Sequence, residues 1–342
     1  MSLDIAIDLG TSMTRIYIEK KGIVVSEPTA IAVDLRYDSI LAVGQKAYDM
    51  LGKTSDNMLV ICPLEAGIVS DFNLVVEILE SFLKKISSGK LVMPRAVVCV
   101  PSEITEVEKR AIVNTISTIG VRKVFLIEEQ IAAAMGAGLD VEKPCGTMVV
   151  NVGGGTSSLA IVTLGGVSES RCVKIAGNNF DEDIIKYVKN KYRLTIGKKT
   201  AERAKIEIGT VMPVDVDEQK YFKLKGRDNL TGLPRTVEIS SNEIYEAIKE
   251  TSLKIISEIQ QLLESADPEL SGDIYSNGIL LTGGSAKING FSELIYEYTK
   301  LKVLIPENPE NCVVLGAGMA TKYLNGSKSG PIDMMSSLST EF

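Results

Sequence analysis

Apolar and polar residues alternate along two short stretches of the chain, and a glycine-rich turn interrupts each of them. One stretch covers residues 3–18, and the other covers residues 148–162. Alternation on both sides of a tight turn predicts a β-hairpin, because successive side chains of a strand point to opposite faces. The same layout returns about 140 residues later, which predicts two related halves that each present one hairpin.

Between and after the two hairpins, apolar residues recur with helical spacing. Apolar positions three and four apart predict a helix after Asp71. Capping boxes, in which a hydroxyl residue is followed three positions later by Glu, predict helix starts at Thr105 and Ser240. Strands that alternate with helices indicate the α/β fold class.

Two stretches depart from this regular pattern. Residues 214–234 mix Asp and Lys with Gly and Pro, which predicts exposed strands and loops. From residue 325 onward Gly, Ser and Pro dominate, and we expect a mobile tail there.

The composition excludes several kinds of chemistry. The 342 residues contain no histidine, which rules out Ser-His and Cys-His nucleophile pairs and histidine-ligated metal sites. The net charge of -7 argues against a nucleic-acid partner. The five cysteines are scattered without a CxxC pair, which is typical of reduced thiols in the cytosol. Chemistry in this chain therefore depends on carboxylates, hydroxyls, lysines, backbone amides and a metal bound by oxygen.

Three glycine-rich turns, each after an apolar strand, are the candidates for ligand binding. They occupy residues 8–12, 151–157 and 281–285, and each contains Ser or Thr. Glycine lets backbone N–H groups turn toward an anion, and hydroxyls add further donors. One such turn is usually only a tight turn, but three in one chain indicate a phosphate site. None has the GxxxxGK[ST] spacing of a P-loop, and none opens a helix as GxGxxG does.

The sequences of these turns resemble the phosphate and adenosine motifs of one superfamily. Asp-Leu-Gly-Thr at residues 8–11, Gly-Gly-Gly-Thr at residues 153–156 and Leu-Thr-Gly-Gly at residues 281–284 are similar to those of actin, hexokinase and DnaK-type chaperones. Within this superfamily the chain resembles MreB, the bacterial actin homologue. The resemblance extends over residues 4–322, and four further stretches support it, at residues 22–28, 124–129, 200–209 and 316–318.

The resemblance implies an actin-like fold, in which two ribonuclease-H-like domains, each with a smaller inserted subdomain, close on a nucleotide. We expect the first half to span residues 1–140, with its insert at about 31–72. We expect the second half to span residues 141–322, with its insert at about 181–240, and residues 323–342 to form a C-terminal segment and tail.

The resemblance also implies roles for individual residues. Asp8 matches the carboxylate that holds Mg²⁺ through water, Glu129 matches the residue that positions or activates the attacking water, and Thr156 matches its hydroxyl partner. Glu202 and Lys205, three residues apart on a predicted helix, match the ribose and adenine contacts. The residues expected to bind ATP or ADP are Gly10, Thr11, Ser12, Met13, Asn151, Gly153, Gly154, Gly155, Thr156, Glu202, Lys205, Gly283, Gly284 and Ser285.

Local sequence by itself favours plainer interpretations of three of these residues. Glu129 would be a helix-capping carboxylate at the surface. Glu202 and Lys205 would form an exposed helical ion pair worth roughly a few tenths of a kcal/mol. The resemblance over the whole chain is what assigns them to a nucleotide site.

Two positions depart from the family pattern. The second motif normally begins with Asp, and this chain has Asn151, whose amide keeps an oxygen but loses the negative charge that attracts Mg²⁺. Met13 replaces an Asn that is common in MreB proteins. We therefore expect nucleotide binding with slow ATP hydrolysis.

The resemblance implies paired head-to-tail filaments in the cytoplasm, at the inner face of the cell membrane, that organise cell-wall synthesis. No apolar run reaches the ~18 residues of a membrane-spanning helix. A loop formed by Leu91, Val92 and Met93, in a polar frame with cations beside it, is a candidate for shallow membrane insertion. The competing interpretation is that these residues begin a buried strand that continues over residues 96–100.

Three other functions suit the same fold. A chaperone-type ATPase would carry a C-terminal substrate domain, which we do not expect here. A small-molecule kinase would need a general-base Asp that faces a sugar or acetate pocket, and the sequence offers no motif for one. A hydrolysis-impaired paralogue, which acts as a nucleotide-binding switch or a copolymer subunit, is the serious alternative because of Asn151.

Overall fold

A computed structural model of the protein describes residues 4–65, 67–87 and 94–325. The predicted membrane residues Leu91, Val92 and Met93 lie outside the described residues, as does the predicted tail beyond residue 325. Within the described ranges, no helix is both long enough and apolar enough to cross a bilayer.

The described chain up to residue 136 begins with hairpin strands and then alternates strands with helices. Its strands are β1 (Asp4–Leu9), β2 (Met13–Ile18), β3 (Gly22–Pro28), β4 (Ile31–Asp34), β5 (Ser39–Val43), β6 (Met58–Ile61), β7 (Leu64–Glu65), β8 (Ile68–Val69), β9 (Arg95–Val100) and β10 (Lys123–Glu128). Its helices are α1 (Gln45–Met50), α2 (Phe72–Ser87), α3 (Glu106–Thr118) and α4 (Glu129–Gly136).

The remaining described chain repeats this arrangement. Its strands are β11 (Thr147–Val152), β12 (Ser157–Thr163), β13 (Gly166–Val173), β14 (Leu194–Thr195), β15 (Tyr221–Asp228), β16 (Pro234–Ser240), β17 (Ile279–Thr282) and β18 (Val303–Leu304). Its helices are α5 (Gly177–Tyr192), α6 (Lys198–Ile208), α7 (Ser241–Ser265), α8 (Pro268–Asn277), α9 (Phe291–Thr299) and α10 (Cys312–Ala320).

Two five-stranded sheets form the centre of the molecule, and both have the same connectivity. In the first sheet, β3, β2 and β1 are antiparallel neighbours, and β9 and β10 continue the sheet in parallel with β1. In the second sheet, β13, β12 and β11 are antiparallel, and β17 and β18 continue it in parallel with β11. Tight turns join antiparallel strands, whereas parallel strands need a crossover connection. The shared topology confirms the two related halves that the repeated hairpin predicts.

Helices α4 and α10 lie against each other between the two sheets. One apolar core cluster joins them to both sheets and includes Ala6, Val97, Ala132, Val149, Ala160 and Ala317. The two helices approach closely at Gly136 and Gly316. A Cβ on Gly136 would overlap the carbonyl group of Cys312, and a Cβ on Gly316 would overlap that of Ala132. Glycine is therefore required at both positions, because any side chain would separate the helices.

We expect Gly316→Ala to lower the free energy of unfolding by about 1–3 kcal/mol, because the new methyl group forces the α4 backbone to move. Urea unfolding followed by circular dichroism measures the change. Gly272→Ala is the matched control, since this helical glycine has no atom within 4 Å of the added Cβ. There alanine should stabilise the protein by about 0.5–1 kcal/mol. Equal effects of the two substitutions would contradict the packing argument.

The predicted helix starts are confirmed by hydrogen bonds. The Glu108 N–H donates to the Thr105 hydroxyl at 3.2 Å, and the Thr105 N–H donates to the Glu108 carboxylate at 2.9 Å. Ser240 and Glu243 form the same reciprocal pair at the start of α7. The Asp71 carboxylate accepts two backbone N–H groups before α2, at 3.0 and 3.2 Å.

Two three-stranded sheets lie beside the large ones, one made of β5, β4 and β6 and the other of β14, β15 and β16. The prediction of exposed strands and loops over residues 214–234 is only partly right. Strand β15 alternates exposed with buried residues, and Phe222 and Leu224 join the core beneath it. Residues Val216–Glu218 form a short 3-10 helix that the sequence did not indicate. The residue limits given above for the halves and their inserts stay predictions.

Candidate functional site

The three glycine-rich turns meet at one cavity of about 550 Å³ between the two large sheets. All the residues predicted to bind nucleotide or metal, or to act in hydrolysis, line this cavity. They are Asp8, Gly10, Thr11, Ser12, Met13, Glu129, Asn151, Gly153, Gly154, Gly155, Thr156, Glu202, Lys205, Gly283, Gly284 and Ser285. The structure thus brings the predicted set together, while the role of each residue stays a prediction.

The first and second glycine turns face each other at close range. A Cβ on Gly155 would lie 2.6 Å from the Thr11 hydroxyl oxygen, and a Cβ on Gly154 would overlap Ser12. Side chains at these two positions would push the turns apart. Glycine here leaves backbone amides bare on one side of a narrow gap and hydroxyls on the other, which is the donor set that phosphate oxygens need.

The third turn is hydrogen-bonded to the second, and its backbone at Gly284 is not covered by any side chain. The Ser285 hydroxyl donates to the Gly153 carbonyl at 2.9 Å. Gly283 has φ +89°, and a Cβ there would overlap the Val152 carbonyl. Gly284 has no atom within 4 Å of a Cβ built on it. A planar ring can therefore approach the backbone at this point without meeting a side chain.

Two carboxylates lie close together at the cavity, where Asp8 is buried and Glu129 is half-buried. Burial raises the pKa of Asp8 to about 6, although the Arg15 guanidinium 3.7 Å away opposes this shift. Burial and the neighbouring Asp8 raise the pKa of Glu129 to about 7. Both groups therefore titrate close to neutral pH, which suits a proton acceptor or a group that meets a cation.

Asn151 and Ser158 are opposite each other on β11 and β12, and both contact Glu129. The Ser158 hydroxyl donates to the Glu129 carboxylate at 3.4 Å, and these hydrogen bonds lower the pKa that burial raises. Ser158 was not predicted as a site residue. Strand alternation could have suggested it, because Ser158 lies two positions after Thr156.

Helix α6 presents Glu202 and Lys205 to the cavity on one face, as the spacing predicts. Each already has a protein partner. The Tyr48 hydroxyl donates to the Glu202 carboxylate. The Lys205 ammonium lies 2.8 Å from the Asp181 carboxylate and donates to the Gly177 carbonyl at 2.8 Å.

Helices α1 and α6 contact each other through Lys199. The Lys199 ammonium donates to the Tyr48 carbonyl at 3.0 Å and lies 3.2 Å from the Asp49 carboxylate. Burial and the Glu202 carboxylate raise the pKa of the Tyr48 phenol. A second cavity of about 600 Å³ is lined by Tyr48, among other residues, and shares Glu202 with the first cavity. No sequence pattern indicates these contacts, because the paired residues lie about 150 positions apart in the chain.

Other cavity residues were also missed by sequence reasoning. Gly67, in the turn between β7 and β8, donates its N–H to the Thr11 hydroxyl at 3.0 Å. Arg15 projects from β2 toward Asp8. Lys287 and Glu310, which also line the cavity, pair at 2.6 Å. These positions carry no motif of their own.

The cavity offers few protein ligands to a metal ion. Among the described residues, no three His, Cys, Asp or Glu side chains converge on one point. Mg²⁺ commonly keeps several waters and is held by one or two carboxylates together with substrate phosphates. The buried Asp8 beside phosphate-type donors fits that mode of binding, and it does not fit a cage made of protein ligands alone.

The match to a protein family covers nearly the whole chain. The family model described as MreB/Mbl protein matches residues 2–329. The chain belongs to the MreB/Mbl family. The cell shape-determining protein Mbl of Bacillus cereus is 42% identical over 323 residues, which are 94% of this chain and 96% of the relative. The cell shape-determining protein MreB of Escherichia coli K12 is 42% identical over 332 residues, which are 95% of this chain and 94% of the relative.

Solved structures agree with this membership. MreB5 of Spiroplasma citri bound to ADP superposes with a TM-score of 0.90 at 35% identity, covering 95% of this chain and 99% of that one. A MamK double helical filament subunit, at 18% identity and a TM-score of 0.79, supports the fold alone, with 94% of this chain and 99% of that one covered. The actin-like fold is thus confirmed, and the family places the chain among actin-like cell shape-determining proteins.

Proposed function

We propose that this member of the family binds ATP and ADP in the cavity between the sheets and polymerises head to tail into filaments. The observation that carries the proposal is the meeting of three glycine-rich turns, from two sheets of equal topology, around the carboxylates of Asp8 and Glu129. MreB5 of Spiroplasma citri, which this chain resembles closely in structure, has been solved with ADP and with AMPPNP. The hydroxyls and bare amides supply phosphate donors, and the open backbone at Gly284 suits adenosine.

Mg²⁺ belongs to the proposal as a partner of the nucleotide. Asp8 would hold it through water, together with the phosphates. The ion would neutralise charge on the phosphates and on Asp8, whose pKa burial raises to about 6.

Hydrolysis would depend on Glu129. Its carboxylate lies among Asn151, Ser158 and Asp8, and its pKa of about 7 lets it accept a proton at neutral pH. Thr156 would help to hold the attacking water. Because Asn151 removes one negative charge near the metal, we propose that ATP hydrolysis is slow.

We expect Asn151→Asp to raise phosphate release from Mg-ATP about ten-fold or more, because a second carboxylate would hold the hydrated metal ion. The effect should grow with Mg²⁺ concentration, since without the metal the new carboxylate lies beside Glu129 and repels it. Phosphate-release assays at Mg²⁺ concentrations from low to saturating measure this dependence. Asn151→Ser removes the amide without adding charge and serves as the control. If Asn151→Asp leaves phosphate release unchanged, position 151 does not explain slow turnover.

Nucleotide binding would favour the closed cleft and so the polymerising conformation. The hydrogen bond between Tyr48 and Glu202 connects the cleft opening to a residue expected at the ribose. Filament growth by identical head-to-tail contacts is a heterologous association that does not close into a ring. Pairing of such filaments is part of the same proposal.

The cellular role proposed for these filaments is to organise cell-wall synthesis in the cytoplasm, at the inner face of the cell membrane. The loop formed by Leu91, Val92 and Met93 is the proposed membrane contact, on the strength of its sequence alone. Three apolar side chains bind a bilayer weakly, and linkage of many subunits in a filament would multiply that weak contact.

Sedimentation and negative-stain microscopy with ATP, ADP or no nucleotide test the proposal, with phosphate release followed in the same samples. Filaments that require nucleotide are the expected result, and anionic vesicles should sediment together with them. Tight ATP binding without polymer, at all salt and protein concentrations, would instead indicate the partner-dependent switch. The family match does not favour that alternative.

A further inference from the structure

Arg15 lies in the cavity without a role in the proposed site. It projects from β2 directly opposite Asp8 on β1, and the cavity wall includes both residues. Its side chain is 13% exposed, so the guanidinium is held mostly inside the protein. A buried cation at this position is unusual, because removing a charge from water is costly unless a partner compensates.

The hydrogen-bonding capacity of Arg15 is incompletely used. Its Nε is buried and has no hydrogen-bond partner. The terminal nitrogen lies 3.7 Å from the Asp8 carboxylate, which is an ion-pair distance but too long for a good hydrogen bond. Glu310, whose pKa Arg15 helps to lower, accepts a hydrogen bond from Lys287 on one carboxylate oxygen at 2.6 Å, while its other oxygen is buried without a partner.

We propose that Arg15 binds the polyphosphate of the nucleotide, on the Asp8 side of the cavity; this inference rests on the proposed function. A guanidinium offers a planar fork of donors that matches phosphate oxygens, and such charge-assisted hydrogen bonds are among the strong ones. A polyphosphate entering this cavity meets Asp8, Glu129 and Glu310, and hence needs a cation besides the metal. The wall also carries Lys205 and Lys287, but each is paired with a carboxylate, whereas Arg15 is mostly buried and keeps an unpartnered donor.

The competing role for Arg15 is structural, as a counter-charge for Asp8 and Glu310. The two roles differ in what they predict for ligands of different phosphate number. A phosphate ligand acts on ADP and ATP and leaves adenosine unaffected. A structural ion pair acts on the stability of the folded protein and affects every ligand alike.

Binding of adenosine, AMP, ADP and ATP to the full chain, measured by isothermal titration calorimetry, separates these roles. We expect Arg15→Leu to weaken ADP and ATP about ten- to a hundred-fold and to leave adenosine within about two-fold. Arg15→Lys keeps the charge but loses the fork, and should recover part of the loss. Arg171→Leu is the matched control, because it removes a strand arginine paired with Glu258 at 2.8 Å outside the cavity.

The salt dependence of ATP binding gives a second readout. The affinity of the wild-type protein should fall more steeply with salt than that of Arg15→Leu, because one cation–phosphate contact is lost. If Arg15→Leu does not fold, Arg15→Lys still decides by the ratio of its ATP loss to its adenosine loss. Equal losses for adenosine and ATP, or no loss at all, would overturn the inference. A wild-type chain that binds none of the four ligands would instead refute the proposed function itself.

Discussion

Replacing Glu129 by Gln is expected to slow phosphate release from ATP about a hundred-fold or more, while ATP and ADP still bind. General-base groups in hydrolytic sites contribute rate factors of about this size. Glu129 starts α4 at the cavity, and burial raises its pKa to about 7, where a carboxylate can accept a proton at neutral pH. Glutamine keeps the size and the hydrogen bonds to neighbours but cannot accept that proton.

The measurement is single-turnover phosphate release, with nucleotide affinity determined on the same preparations. Glu128→Gln is the matched control, because Glu128 is the preceding residue and its carboxylate accepts a hydrogen bond from Ser102 at 2.5 Å, away from the cavity. A loss that is equal in the two variants would mean that the start of α4 is perturbed as a whole. Unchanged phosphate release in Glu129→Gln would remove Glu129 from the mechanism.

The rate of phosphate release should also depend on pH with one sign. Glu129 must be deprotonated to act as a base, so release should fall as the pH drops below about 7. Mg²⁺ at Asp8 would shift this midpoint downward, since the added positive charge favours the ionised carboxylate. The Glu129→Gln variant should lose this part of the pH profile.

The double variant Asp8→Asn, Glu129→Gln is expected to be more stable than the wild type, by about 3–5 kcal/mol in the free energy of unfolding at pH 8. Burial raises the pKa of Asp8 from 3.8 to about 6 and that of Glu129 from 4.5 to about 7. The folded protein therefore holds protons that the unfolded chain releases. In the nucleotide-free protein, ionised carboxylates at the cavity destabilise the fold, and neutral amides remove that cost.

The sign of this effect fixes its pH window. Well below pH 3.8, the ordinary pKa of Asp8, both carboxylates are protonated in the folded and in the unfolded chain, so the two proteins should be equally stable with respect to these groups. The advantage of the variant should grow from about pH 4 to about pH 7 and then stay constant. Denaturant unfolding without nucleotide or metal, from about pH 3 to about pH 8, measures it.

Asp228→Asn serves as the control of opposite sign. Hydrogen bonds from Arg235 and from the backbone N–H groups of Thr231 and Leu230 hold the pKa of Asp228 below its ordinary value. Neutralising that carboxylate should therefore destabilise the protein at neutral pH. A double variant that is no more stable than the wild type at pH 8 would contradict the burial argument for Asp8 and Glu129.

Asn151 links the two predictions. Its side chain forms a hydrogen bond with Glu129, which lowers the pKa of Glu129 and so opposes the effect of burial. An Asp at this position would add a third carboxylate to Asp8 and Glu129, and its repulsion would have to be offset by a metal ion. The same substitution can thus lower the stability of the nucleotide-free protein and raise the turnover of the protein with Mg-ATP bound. This is the usual conflict between a stable site and an active one.

Local features of the chain could be predicted because the interactions that produce them span only a few residues. Apolar alternation around a glycine turn determines the hairpin of β1 and β2, and a hydroxyl residue with Glu three positions on determines the starts of α3 and α7. The glycine-rich turns themselves could be recognised as donor-rich, since the freedom of glycine is a property of the residue.

Tertiary structure decided everything that depends on residues distant in the chain or on burial. Sequence could not show that α10 packs against α4 between the sheets, that Tyr48 reaches Glu202, or that Arg15 is left with an unpartnered nitrogen. Nor could it show the raised pKa of Glu129, because desolvation depends on the whole cavity and not on neighbours in sequence. Short-range geometry accounts for the strands, the helix starts and the phosphate-type turns. These turns become a site only in the folded protein, which brings groups far apart in the chain together and removes water from them.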